Sequence, residues 1–171
     1  MSCRDRALGA GRRHPRQPQR ARTTLTSSTS RAGRSMTSFS IGIPEGIKDL
    51  PPGVALPLES NLSFMNGVSF TKGCYIGQEL TARTQHMGVI RKRLFPIKFS
   101  ASITAEGISS GATVLTESGK QVGKYRAGED DVGIALLRSE KIKVPLFIKT
   151  SEGQQVNIVP SVPDWWPKAN K

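Results

Sequence analysis

The chain reads as an α+β fragment that closes in a small antiparallel β-barrel and opens in a disordered Arg/Ser-rich tail. Three features predict that class. Residues 1–40 hold nine Arg, no Lys and one acid, Asp5, with only scattered apolar residues. Six short strand-like runs separated by turn chemistry follow Gly88. A single helical pattern lies between the two regions, from about Ile76 to Met87.

The tail has too few apolar side chains (Leu8, Leu25, Met36, Phe39) to offset the entropy of ordering it, so disorder is expected over 1–40. An Arg-rich, Ser-rich, acid-poor N-terminus fits a mitochondrial transit peptide. Pro15 and Pro18 interrupt any amphipathic helix there, and an unrelated tail fits equally well. The tail also explains the charge. The whole chain carries +12, but residues 41–171 hold 16 basic and 12 acidic residues, so the part expected to fold is only mildly basic. No apolar run approaches the roughly 20 residues that span a bilayer. Interleaved aromatics for stacking bases are missing, which argues against nucleic acid. With only Cys3 and Cys74, a disulfide framework is not expected.

Residues 41–90 begin as an extended stretch punctuated by Pro44, Pro51, Pro52 and Pro57. A short helix is expected over 58–65, then a strand over Val68 to Thr71, because apolar and polar residues alternate there. Lys72 and Gly73 make the turn into the main helix. In that helix Ile76, Leu80 and Met87 share a face, Glu79 and Arg83 form an i,i+4 pair, and Gly88 ends it. Strands are expected at Val89 to Phe99, Thr113 to Thr116, Gln121 to Arg126, Val132 to Arg138, Leu146 to Thr150 and Val156 to Val159. Several short strands at this spacing in about 80 residues argue for a barrel or sandwich. Arg91, Lys92 and Arg93 read as a solvated strand edge, with an acidic partner or polyanion as the alternative. Trp165 and Trp166, set between Pro163 and Pro167, are expected to pack back onto the strands.

Cys74 is the residue with chemical potential. It sits beside Lys72, between Gly73 and Gly77, just upstream of a helix start, and all three features favour the thiolate that attacks electrophiles or binds metal. A small buried hydrophobe is the bland alternative. A cluster of iron and sulfide usually takes four protein ligands, and this chain offers one useful Cys with only His86 nearby. It can lend a ligand only to a cluster whose other ligands come from elsewhere. His86 itself reads first as an exposed helix residue. No base and orienting group assemble around Cys74 for nucleophilic catalysis.

The run Gly67-Val-Ser-Phe-Thr-Lys72-Gly73-Cys74-Tyr75-Ile76-Gly77-Gln78-Glu79, with Thr81-Ala82-Arg83 and Gly88-Val-Ile-Arg-Lys-Arg-Leu94, resembles the signature of the YgfZ-type family, relatives of the glycine-cleavage T-protein. The Ser-Val-Pro-Asp-Trp-Trp ending resembles its mitochondrial branch. The resemblance covers about Ile43 to Lys171. It implies a mitochondrial matrix factor for maturing 4Fe-4S proteins, working with A-type scaffold proteins, its functional cysteine falling at Cys74 within Lys72, Gly73, Tyr75, Gly77, Gln78, Glu79 and Arg83. It also implies a remnant of the folate-binding body over 41–90 and a C-terminal barrel domain over 91–171. In place of most of that body this chain has the 40-residue tail, so tetrahydrofolate binding and one-carbon transfer are not expected of it. The alternatives are a folate-dependent one-carbon transferase, the class that the T-protein relation implies, and an inactive truncated product. Apolar surface left on 41–90 is expected to give marginal stability or association.

Overall fold

The computed structural model describes residues 37–100, 107–150 and 153–168. Within them lie three α-helices, α1 (37–41), α2 (Gly46–Asp49) and α3 (Gln78–Met87), and a short 3-10 turn at Ser139–Lys141. Six strands follow: β1 (Lys92–Phe99), β2 (Thr113–Thr116), β3 (Gln121–Glu129), β4 (Val132–Arg138), β5 (Leu146–Lys149) and β6 (Gln155–Pro160). All six strands expected after Gly88 form. They close a barrel in the order β1-β4-β3-β2-β5-β6, every pairing antiparallel.

The period-two alternation of β1 and β4 sorts their side chains onto two buried faces. Phe95, Ile97, Phe99, Ala135 and Leu137 point into the barrel, where they join Val114, Val122, Tyr125, Leu146, Ile148, Val156 and Ile158. Leu94, Val132, Ile134 and Leu136 point outward and are covered by Phe39 of α1, with Leu50 packed alongside. The N-terminal segment is thus a second layer over one flank of the barrel. Trp166 packs against the barrel core and stacks near Phe95 and Phe64, at centroid distances of 5.0 and 5.3 Å. The Trp165 indole N–H donates to the Ile41 carbonyl at 2.8 Å, so the end of the chain ties down α1 as well.

Three expectations need correction. The tail expected over 1–40 lies outside the described residues up to 36, but 37–40 are helical and Phe39 is buried, because the outward face of β1 and β4 supplies the apolar partner that the tail lacks. The helix expected over 58–65 is a series of turns: Asn61 and Asn66 adopt left-handed backbone (φ 63° and 56°), which a regular helix excludes. The segment instead docks on β1, where Leu94 N–H donates to the Glu59 carbonyl (3.0 Å) and buried Asn61 donates Nδ2–H to the Leu94 carbonyl (2.8 Å). The strand expected over Val68 to Thr71 does not form, for no strand of the barrel has an edge free beside it and Ser69 instead closes a turn onto Lys72 N–H (3.3 Å).

Candidate functional site around Cys74

Cys74 lies on the irregular segment between that turn and α3, and its side chain is exposed. It is the only thiol among the described residues. Tyr75 and Gln78 close the loop behind it by exchanging two bonds: Tyr75 N–H donates to Gln78 Oε1 (3.4 Å) and Gln78 N–H to the Tyr75 carbonyl (3.2 Å). Gly77 holds φ 83°, ψ 2°, the left-handed geometry that a type II turn demands at its third position. The Gly77 carbonyl then receives both the amide (3.3 Å) and the hydroxyl (3.1 Å) of Thr81, which starts α3. The helix therefore begins at Gln78, four residues beyond Cys74, later than the sequence suggests. The helix end belongs to Gly77 and Gln78, and the thiol is presented by the turn that precedes them.

The other motif residues brace this turn. Lys72 places its ammonium 5.0 Å from the centre of the Tyr75 ring. Glu79 and Arg83 form the expected ion pair along α3. His86 sits in the last turn of α3, about 12 Å of helix rise from Gln78, and meets the Phe70 ring edge-on at 6.0 Å. It is exposed, as expected, and its visible role is to fasten the loop to the helix end. Among the described residues no three His, Cys, Asp or Glu side chains converge as a metal site. No described helix is long and apolar enough to cross a membrane.

Alpha3 is loosely held. Thr81 is its one buried residue, whereas Ile76, Leu80 and Met87, the face expected to be apolar, are all exposed. On its way to β1 the chain borders a groove of ≈ 360 Å³ between α3, residues 56–59 and the ends of β1 and β4; Cys74 does not line it.

Sequence reasoning missed Arg93. The guanidinium lies 3.9 Å from the Phe64 ring centre and 5.9 Å from that of Trp166, and Nη1–H donates to the Leu58 carbonyl at 3.1 Å. Burial holds it below its ordinary pKa. It is no solvated edge: the closed barrel has none, and the 57–66 segment covers this part of β1. The only signal lay in aromatic residues 29 positions before and 73 after it, which sequence spacing does not connect.

Residues 91–168 match the model of the CAF17 C-terminal β-barrel domain. The chain is 72 % identical over 130 residues to the human iron-sulfur cluster assembly factor IBA57, mitochondrial, a match that covers 76 % of this chain and 36 % of the human protein. The mouse protein of the same name is 69 % identical over 131 residues, with 76 % and 37 % covered. This chain thus spans little more than a third of the length of either relative. Both are named as mitochondrial, in keeping with the mitochondrial localisation read from the sequence. Among solved structures, the glycine cleavage system aminomethyltransferase T from Bartonella henselae superposes with a TM-score of 0.60 over 76 % of this chain and 37 % of its own, at 16 % identity, a likeness of fold. With the barrel, the family model and the two mammalian relatives in agreement, the chain belongs to the CAF17/IBA57 family.

Proposed function

We propose that the chain serves iron–sulfur cluster assembly in the mitochondrial matrix, lending Cys74 to a cluster shared with an A-type scaffold protein, toward the maturation of 4Fe-4S proteins. The observation that carries this reading is the presentation of Cys74: one exposed thiol on a braced turn, with no set of metal-ligating side chains converging among the described residues. One thiolate is a quarter of the usual cluster ligand set. A partner must bring the rest, and an exposed position lets it do so.

In this reading the motif works as a holder. Gly77 supplies the turn, Tyr75 and Gln78 lock it, Lys72 lies over Tyr75, and Glu79 with Arg83 supports the first turns of α3. Gly73 itself lies in open space, where a Cβ would meet nothing within 4 Å. The cluster is cargo, held only while both proteins share it. Mixing the chain with an A-type scaffold, ferrous iron and sulfide is expected to give a visible chromophore that co-elutes with both proteins. Equal absorbance from Cys74→Ser would remove the proposal.

A further inference from the structure

The groove beside α3 has a composition that the fold does not require. One side is apolar and open to water: Leu56, Leu80 and Val89 are all exposed. The other is cationic, formed by Arg91, Lys92 and Arg138, with Glu59 the only acid among the lining residues. Lys92 and Arg138 are direct partners in the β1–β4 register, and both point away from the barrel core. Like charges facing each other across a strand pair destabilise it. None of the three is in an ion pair, since the only one among the described residues joins Glu79 and Arg83, and Glu59 alone faces three cations in the groove.

We propose that this groove docks an acidic amphipathic segment of a partner protein, its carboxylates over Arg91, Lys92 and Arg138 and its apolar side chains against Leu56, Leu80 and Val89. Charge complementarity selects that occupant. A second copy would bring the same three groove cations and, over 41–171, 16 basic against 12 acidic residues, so it offers no acidic excess to answer them. A small polyanion would leave the apolar wall in water, and a nucleic acid would find no aromatic ring lining the groove to stack on. A helix face carrying Glu and Leu answers both walls, as in the helix-in-groove mode of recognition. The inference does not depend on Cys74, which stands outside the groove.

The test uses the full chain and a fluorescein-labelled helical peptide of about four turns, with Leu on one face and Glu on the other. Fluorescence anisotropy should show saturable binding that weakens with salt. Replacing the Glu residues by Gln should weaken it by about fivefold per lost ion pair. Lys92→Glu with Arg138→Glu should reduce affinity at least as much, and Arg91→Glu alone, on an exposed side chain, provides a variant whose folding is not in question. Cys74→Ser should bind the peptide like the parent chain, which separates this outcome from that of the cluster test. Equal binding of the Gln peptide, no saturable binding, complete displacement by tripolyphosphate at matched charge, or groove-dependent self-association in sedimentation would each overturn the proposal.

Discussion

At the scale of single residues, half-buried Arg93 and buried Asp49 mark where the N-terminal layer meets the barrel. Arg93 offers a planar cation to Phe64 and a donor to the Leu58 carbonyl, so it clamps the 57–66 segment to β1 and to the Trp166 end of the chain. Arg93→Ala should lower unfolding free energy by about 2 kcal/mol, the sum of a desolvated cation–π contact and a charge-assisted hydrogen bond. Arg93→Lys should recover only part of it, since an ammonium keeps a cation near the ring but lacks the planar guanidinium that stacks on Phe64 and the fork that reaches the Leu58 carbonyl. Urea denaturation followed by tryptophan fluorescence measures both. Asp49 is the second case. It is 3 % exposed and accepts Glu45 N–H at 2.7 Å, yet burial raises its pKa above the ordinary 3.8. The Asp49 carboxylate in turn helps burial push the Tyr125 phenol upward. A carboxyl with a raised folded pKa holds more protons folded than unfolded, so its contribution favours folding at low pH and is lost as pH rises through the raised value. The parent chain should therefore show a term that strengthens the fold on acidification toward pH 3.8, and Asp49→Asn should lack it. Parallel stability profiles for the two chains would contradict this assignment.

At the scale of elements, the strands were legible because each is a short run bounded by turn residues and packed on at least one buried face. The period-two pattern is direct in β2 and β6, where Val114 and Thr116, and Val156 and Ile158, are the alternate buried positions. The 57–66 segment was not legible, because its conformation is decided by Asn61 reaching Leu94, a contact 33 residues away. The motif itself was legible as residues, but its geometry was not. Proximity of Cys74 to a helix start in sequence does not place it in the first turn, and Gly77 makes the difference by turning the chain before α3. A Cβ at Gly77 would meet no atom within 4 Å, so Gly77→Ala carries a purely conformational cost of about 1 kcal/mol. Because α3 buries only Thr81, that cost should appear locally, as faster amide exchange over 78–84 with β1 and β4 unchanged. Uniformly faster exchange in the barrel would contradict the view that the turn and α3 open independently of it.

At the scale of the whole molecule, a well-packed barrel carries a thinner layer whose apolar residues are partly uncovered. Ile47, Val54, Ile76, Leu80, Met87 and Val89 are exposed, all of them in the region before β1. The sequence-based expectation of apolar surface on 41–90 agrees with this distribution. The barrel anchors the chain on its way to the Cys74 turn, holding 57–66 through Arg93 and Asn61 and the α1 end through the Trp165–Ile41 bond. The layer leaves the thiol and the neighbouring groove open to partners. The most direct test of the account is the visible circular dichroism of an A-type scaffold reconstituted with iron and sulfide, with this chain or with its Cys74→Ser variant. Since Cys74 is exposed, the variant should keep the far-ultraviolet spectrum of the parent. A new visible signal is expected with the parent chain and its loss with Cys74→Ser, whereas the same signal from both chains would rule out Cys74 as a shared ligand.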